Sequence, residues 1–480
     1  MRFADLELVA VGLACLITYI VIPDWIAPAA IVVLWLCIKL TSTHDNVYAL
    51  PIALCFQWSQ ASLGVFYSGV TGRPLLAVTS TDYRPMVLLG LGCCLALAAG
   101  IKVGLILRKP PDYNIPRPGF AFSMGLLVTL YVASIFVEGS LLAIAPSFPS
   151  FRQIITTLDS VRLGVLFLLL RRLCRPTPRW SLIATVVGIE VVLGITGFFA
   201  GFREPLVLAA LAILEVFDRR NRQHWVAVTT SAVAAVVLGL VWMGIRTEYR
   251  REFVELDQFA NSRSARIDRV RDLASAFMNA DPSDVWNTAD TLVERLWAVY
   301  YPALALERVP KVIAHTDGAI FGAALRHIVT PRIFFPDKPE LPSDSEEVRK
   351  YANVHVAGRE NDTSIAFGYS AESYIDFGVP LMFAPVFAFG VLVGFAYALF
   401  RGLIWHRDIF VAFATVVFWL AVYLFERSWA TMLGQAMSFF VYLGPPVVLL
   451  DRFLLMRFTV EQARENSGML FTTPLKHDRA

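Results

Sequence analysis

The residues best suited to chemistry are arginines that adjoin apolar stretches. Arg203 stands in GFREPLVL, and Arg246 and Arg250 stand four residues apart in GIRTEYRRE. A guanidinium can form two parallel hydrogen bonds with a phosphate group, and two guanidinium groups on one helix face repel unless an anion lies between them. These positions therefore predict a site for a phosphate or pyrophosphate group. The structural alternatives are a pairing of Arg203 with Glu204 and a solvated helix start at the other two.

A second group of cations lies in LRHIVTPRIFFPDKPE, where three prolines exclude a long helix. Arg326, Arg332 and Lys338 are spaced by six residues along this stretch, and Phe334 and Phe335 lie between the last two. Phenylalanine side chains can enter the interface of a bilayer while cations face a polar cleft. We interpret the stretch as an anchored loop that presents charge at a lipid surface, with a purely structural loop as the alternative.

Three residues are candidates for the general base of a transfer reaction. Glu372 and Asp376 stand four residues apart in SAESYIDFG, which places both on one face of a short helix. In such a pair one acid can be kept basic while the other orients it. His327 is the alternative base, because a neutral imidazole is available close to neutral pH. The same spacing is also compatible with a solvated pair of carboxylates.

Other catalytic and metal-binding signatures are missing from the sequence. DxD, HExxH, GxSxG and the Walker loop are absent. The six cysteines mostly lie in apolar runs and form no CxxC pair. We therefore expect no metal and no cofactor. The net charge of +3, without a basic block interleaved with aromatic residues, also gives no indication of a nucleic-acid partner.

The composition indicates which elements must position these residues. Of 480 residues, 56% are hydrophobic and 17% are charged. A water-soluble domain could not bury so much apolar surface, so we expect the bilayer to be the solvent. Apolar stretches that are long enough to cross the hydrocarbon core, or nearly so, fall at 6–22, 26–40, 47–67, 86–107, 120–137, 151–171, 180–200, 205–217, 225–245, 380–400, 409–425 and 431–450. The predicted fold class is an all-α polytopic membrane protein with about 12 transmembrane helices.

Lysines and arginines predict the orientation. With the N-terminus inside, the short inner loops hold most of these cations, namely Lys102, Arg108, Lys109, Arg117, Arg171, Arg172, Arg175, Arg179, Arg219, Arg220, Arg222, Arg401 and Arg407. The short outer loops hold fewer, namely Arg73, Arg84, Arg152, Arg203 and Arg427. Because cytoplasmic loops carry the excess of positive charge, both termini are predicted to be cytoplasmic. Arg427 thereby joins the outer cations that could bind a substrate.

This orientation divides the chain into four predicted regions. An N-terminal membrane bundle of about nine spans covers 1–245, a large extracytoplasmic loop region covers 246–378, the C-terminal spans cover 379–455, and a cytoplasmic tail covers 456–480. Apolar residues recur at helical spacing within the loop region, in ARIDRVRDLASAF and TLVERLWAVYY. Such helices are expected either to lie on the membrane surface or to pack on one another.

In GFREPLVL, TPRIFFPDKPE and DTSIAFGYSAESYIDFG, and in its late, dominant outer loop, the chain resembles the oligosaccharide repeat-unit polymerases, the Wzy-type O-antigen polymerase family of bacterial inner membranes. The resemblance implies an architecture similar to the GT-C-type membrane glycosyltransferases. It also implies metal-independent, inverting glycosyl transfer at the outer leaflet. The donor would be a glycan on undecaprenyl pyrophosphate, and the acceptor a sugar hydroxyl of a second lipid-linked unit. A flippase and a chain-length regulator of the same pathway would be partners.

The resemblance also assigns roles to residues. Arg203 and Arg246 match the outer arginines that hold pyrophosphate, Arg332 and Lys338 match the basic loop, and Glu372 matches an acid of the family. Two alternatives stay open. An O-antigen ligase would use the same donor and a lipid A–core acceptor. A polysaccharide or lipid transporter should show paired repeats and charges spread through many spans, whereas here the charges concentrate in the outer loop.

Overall fold

The computed structural model describes residues 3–43, 45, 47–108, 122–144, 147–148, 151–175, 177–195, 203–218, 220–255, 263–279, 281–331, 334–335, 337–358 and 364–455. Every regular element within these ranges is a helix. The predicted cytoplasmic tail, 456–480, lies outside them. The all-α class predicted from the sequence is thus confirmed for the part of the chain that is described.

Ten helices begin before the predicted loop region, 246–378, and the last of them extends into it: α1 Phe3–Val21, α2 Ile26–Thr41, α3 Ala49–Thr71, α4 Leu76–Ser80, α5 Arg84–Leu107, α6 Met124–Ile144, α7 Arg152–Leu173, α8 Trp180–Ile195, α9 Arg203–Glu215 and α10 Arg222–Glu255, all within the described residues. Within and after it lie α11 Arg263–Met278, α12 Pro282–Leu296, α13 Tyr300–Arg308, α14 Ala319–Val329, α15 Asp344–Ala352, α16 Tyr369–Phe377, α17 Phe383–Leu403, α18 Arg407–Val422 and α19 Trp429–Ser438. A π turn, Phe439–Leu443, follows α19, and the helical run continues to Leu455.

Where the structure describes them, the twelve predicted apolar stretches each contain a helix, but these helices differ in length. Among the described residues, six helices are long and apolar enough to cross a membrane: Ala49–Thr71, Arg84–Leu107, Gln153–Leu173, Arg222–Arg246, Phe383–Leu403 and Trp429–Leu455. Others, such as Ile26–Thr41 and Trp180–Gly194, are apolar but shorter. The chain therefore has the helices of a membrane protein, while the count of twelve crossings stays a prediction.

Helices α5 and α17 pack closely against each other, and glycines make this possible. A Cβ atom built on Gly104 would lie 2.3 Å from the carbonyl oxygen of Val391, and one built on Gly394 would lie 2.1 Å from that of Ile101. Small residues four apart on facing helices allow backbones to approach in this way. Because lipid tails are as apolar as leucine, this close packing supplies the association energy that hydrophobic burial supplies in water.

Polar contacts at both ends of α9 and α18 show that these helices run antiparallel. At one end Arg171 of α7 binds Glu215 of α9 at 2.6 Å and also binds Asp408 at the start of α18. At the other end Arg203, the first residue of α9, donates to the hydroxyl of Tyr423, directly after α18. We call the end that contains Arg203 and Tyr423 the site end of the bundle.

The helices between α10 and α17 attach to the site end. Asp290 of α12 binds Arg73 at 2.6 Å and accepts a hydrogen bond from Tyr67 at 2.7 Å, and both partners lie at the C-terminal end of α3. The indole of Trp297 donates to the Ala61 carbonyl at 3.0 Å. These contacts hold α12 against the bundle, so its side chains can contribute to a site built by the long helices.

Candidate functional site

Two arginines converge on one tyrosine at the site end. Arg203 Nη2 donates to Tyr423 Oη at 2.8 Å and to Glu204 Oε1 at 3.0 Å. Its guanidinium lies 5.1 Å from the Tyr423 ring centroid, and that of Arg427 lies 5.0 Å from the same centroid. Trp419 stacks on Tyr423 with ring centroids 4.6 Å apart. The aromatic pair thus forms a rigid support for two cations.

The local sequence explains why Arg203 and Arg427 lie at the site end of the bundle. Glu204 and Pro205 occupy the first turn of α9, where an acid and a proline are both favourable, so the helix begins with Arg203 at the edge of the bundle. Arg427 donates to the carbonyl of Leu420, one of the last carbonyls of α18, which lack partners within the helix. Each arginine is therefore fixed by a helix end.

Two further arginines extend the group. Arg295 of α12 binds Glu426 at 3.1 Å, and its charge acts on Arg246 near the end of α10. We call Arg203, Arg246, Arg295 and Arg427 the arginine cluster. Its acidic neighbours are Glu204 and Glu426. Among the described side chains no carboxylate forms a salt bridge with Arg246 or Arg427, so the cluster carries more positive than negative charge.

Burial makes the positive charge of Arg427 costly. Desolvation lowers the pKa of Arg427 below its usual value, and the nearby charge of Arg203 acts in the same direction. An anion that binds beside such a group stabilises its protonated, charged form. The arrangement is thus suited to an anionic ligand with more than one negative charge.

A cavity of about 730 Å³ lies between α7, α14 and α19. His327 and Lys338 line it, together with the first turn of α19, which begins two residues after Arg427. The ammonium group of Lys338 donates to the His327 carbonyl at 2.8 Å. The cavity therefore brings together the predicted histidine and lysine beside the end of the bundle that carries the arginine cluster.

The acids Glu372 and Asp376 are both buried, and each holds a helix N-terminus. Glu372 is 4% exposed and accepts the backbone N–H of Trp429, the first residue of α19, at 2.7 Å. Asp376 accepts the N–H groups of Ile320 at 3.0 Å and Phe321 at 2.7 Å in the first turn of α14. Carboxylates at helix N-termini satisfy donors that have no partner within the helix. The pair thus positions α14 and α19, two of the three helices that border the cavity.

Burial raises the pKa of Glu372 well above its usual value, and the neighbouring carboxylates add to this effect, while the hydrogen bond from Trp429 opposes it. Glu372 does not line the cavity, whereas His327 does. These contacts give Glu372 a positioning role. Its assignment as the base stays a prediction.

Of three further predicted ligands, one is exposed and the side chains of two lie outside the described residues. Arg326 is exposed, and its Nε donates to the Gly322 carbonyl at 3.4 Å. Arg332 lies outside the described residues, and so does the side chain of Arg250. Phe334 and Phe335, predicted to enter the lipid interface, are 75% and 50% exposed.

Sequence reasoning did not single out Arg295, Tyr423 or Glu426. Arg295 lies in an amphipathic pattern that was recognised only as a helix, and it could have been noticed as the one cation of its last turn. The other two border Arg427 in YLFERSW, where two charges follow a long apolar run. No sequence signal shows that these segments meet. Within the described residues, no group of three or more His, Cys, Asp and Glu side chains is arranged to hold a metal ion.

Comparisons with known proteins add a family and no activity. No curated protein and no solved structure matches the chain significantly. One family model, described as a domain of unknown function, matches residues 91–403, which is more than half of the chain and includes three members of the arginine cluster, His327 and Glu372. The chain therefore belongs to the DUF8712 family.

Proposed function

We propose that this protein is a membrane glycosyltransferase that polymerises lipid-linked oligosaccharide repeat units. The donor is a glycan on undecaprenyl pyrophosphate, and the reaction takes place at the outer leaflet of a bacterial inner membrane. The product is a surface polysaccharide such as O-antigen. A flippase and a chain-length regulator of the same pathway would be its partners.

The observation that carries the proposal is the excess positive charge of the arginine cluster. Four guanidinium groups face two carboxylates there, so two positive charges remain for a ligand. Pyrophosphate is a polyanion whose oxygens match the planar fork of a guanidinium. A polyprenyl carrier would keep that pyrophosphate beside membrane-spanning helices, and α10 is one of the candidate spans.

The reaction needs little besides positioning and charge. The oxygen of the acceptor hydroxyl attacks the anomeric carbon of the donor from the face opposite the pyrophosphate. The bond from that carbon to the pyrophosphate oxygen breaks, and the pyrophosphate leaves with the electron pair. Arg203, Arg295 and Arg427 would stabilise the charge that develops on it.

The proton of the attacking hydroxyl needs an acceptor. His327 is the base in this proposal, because it lines a cavity large enough for a substrate. Glu372, the base predicted from the sequence, would act indirectly by fixing the start of α19. Base catalysis of this kind contributes about 10²–10⁴-fold to a rate.

A test of the proposal compares arginine variants in membranes. Arg203→Ala should abolish polymer formation from undecaprenyl-pyrophosphate repeat units at an unchanged protein level, and Arg203→Lys should restore little, because lysine lacks the two-pronged geometry. Arg271→Ala is the matched control, since Arg271 is exposed on α11 and pairs only with Asp268 among the described side chains. Polymer of normal length from Arg203→Ala would refute the proposal.

A second candidate function is that of an O-antigen ligase, which also removes a proton from a sugar hydroxyl. The position of His327 in the lining of the cavity favours this candidate. Deletion of the protein separates the two reactions. Single repeat units on the lipid core indicate that a polymerase was lost, whereas core without glycan indicates that a ligase was lost.

A further inference from the structure

Two rows of uncharged polar side chains face each other across the cavity. One row belongs to α7 and consists of Gln153, Thr156, Thr157 and Ser160. The other belongs to α19 and the π turn and consists of Thr431, Gln435, Ser438 and Tyr442. Both rows recur at helical spacing, so each forms one face of its helix.

These rows lie on two of the helices that are long and apolar enough to span a membrane. Polar groups on such helices are costly unless they find hydrogen-bond partners. A face needed only for packing would be apolar, as it is where α5 meets α17. The polar rows therefore indicate a ligand or water between the helices.

Some members of the rows already have partners, and others do not. Gln153 Nε2 donates to Ser438 Oγ at 2.7 Å, which links the two rows directly. In contrast, within the described part of the chain no hydrogen bond engages the side chains of Ser160, Gln435 and Tyr442, although all three line the cavity. Two hydroxyl groups and one amide at the cavity thus have no hydrogen-bond partner among the described residues.

The chemistry of the lining defines the class of ligand. Hydroxyl and amide groups both donate and accept hydrogen bonds, as sugar hydroxyls do. Among the described residues the lining contains no carboxylate and one lysine, Lys338, which donates to the His327 carbonyl. The volume of about 730 Å³ is within the range of small-molecule sites, roughly 300–1,000 Å³. The π turn after α19 also borders the cavity, and such turns are frequent at functional sites.

We propose that this cavity binds the uncharged sugar rings of the acceptor glycan through Ser160, Gln435 and Tyr442. The proposal rests on the function proposed above and adds a second substrate site to it. The arginine cluster holds the pyrophosphate of the donor, and the cavity holds the sugar whose hydroxyl faces His327. The donor and the acceptor are both lipid-linked glycans, but different side chains of the protein bind them.

The test uses a probe without pyrophosphate, so that the arginine cluster is not involved. The probe is the oligosaccharide released by mild acid from the lipid-linked glycan of the cells that make this protein. Binding to the full chain in nanodiscs is measured by calorimetry. Gln435→Leu and Tyr442→Phe should each raise the Kd about three- to tenfold, as expected for the loss of one neutral hydrogen bond. Thr185→Val, which removes an exposed hydroxyl from α8 away from the cavity, should leave the Kd unchanged.

A second measurement does not depend on the stability of these variants. In Ser160→Cys, the oligosaccharide should slow maleimide labelling of the new thiol, measured above the background of the native cysteines. Unchanged Kd values in Gln435→Leu and Tyr442→Phe, or unchanged labelling of Ser160→Cys, would overturn the assignment of the cavity.

The variant Arg203→Ala distinguishes failure of the sugar site from failure of the proposed function. That variant should bind the free oligosaccharide normally, because its substitution lies in the arginine cluster. If it also forms polymer normally, the proposed function fails while the sugar site stands. If cavity variants bind the oligosaccharide like the native chain while Arg203→Ala loses polymer, the sugar site fails alone.

Discussion

Replacement of Glu372 distinguishes a helix-positioning acid from a catalytic base. Glu372→Gln keeps an oxygen that can accept the N–H of Trp429 and removes the ability to take up a proton. If Glu372 acts only through α19, turnover should change by no more than about threefold. Loss of a general base would lower turnover by about 10²–10⁴-fold. The two roles are thus separated by at least an order of magnitude.

The free energy of unfolding of Glu372→Ala and Glu372→Gln tests the positioning role of Glu372. Glu372→Ala leaves the buried N–H of Trp429 without a partner, which costs about 1–3 kcal/mol, and it also removes packing around a side chain that is 4% exposed. We therefore expect Glu372→Ala to lower the free energy of unfolding by about 2–4 kcal/mol. Glu372→Gln should lose little, because the acceptor is retained.

The pH dependence of the stability has a definite sign. Burial raises the pKa of Glu372 in the folded chain, so folding favours the protonated form. The stability associated with that form is fully present below the unfolded pKa and is lost as pH rises through the folded pKa. Glu372→Gln lacks this loss, so its thermal stability should improve relative to the native chain as pH rises above 4.5, the ordinary pKa of a glutamate.

The assays are thermal unfolding of the purified protein in detergent and turnover of undecaprenyl-pyrophosphate repeat units, with His327→Ala as the comparison. We expect His327→Ala to lose about 10²-fold or more in turnover with a normal unfolding temperature. A folded Glu372→Gln variant that loses a hundredfold in turnover would refute this reasoning and restore Glu372 as the base.

Four further outcomes are expected. Reporter fusions at residue 300 should be extracytoplasmic and those at 112, 175 and 221 cytoplasmic; a cytoplasmic signal at 300 would contradict the predicted orientation. Arg295→Ala should lower turnover about tenfold to a hundredfold through loss of a charged hydrogen bond, whereas equal turnover would remove Arg295 from the site. Asp376→Ala should destabilise the fold by about 2–4 kcal/mol, because two N–H groups of α14 lose their acceptor, and Asp376→Asn by less; denaturant titration measures both. Gly394→Leu should prevent close packing of α5 and α17, so a monodisperse, folded species in size-exclusion chromatography would contradict the role of this glycine.

The helices could be predicted from the sequence because they depend on local properties, whereas some of their ends could not: the stretch predicted at 225–245 lies within a helix that runs to Glu255. Each apolar stretch named from hydropathy alone is a helix, and the acids four residues apart in SAESYIDFG do share one short helix. The candidate arginines could also be named, since a guanidinium beside an apolar run is visible in the chain itself. Such a pattern carries no information about which residues, distant in sequence, are neighbours in space.

Only the tertiary structure decides which of these residues meet. Arg203 bonds to Tyr423 across 220 residues of sequence, because α9 and α18 pack antiparallel. In the same fold Arg326 is exposed. The fold also turns Glu372 and Asp376 toward the N-termini of α19 and α14, since buried backbone donors there require acceptors. Hydropathy is a property of each segment, whereas a site is a property of how segments pack, and for that reason the sequence determined the elements and the fold determined the site.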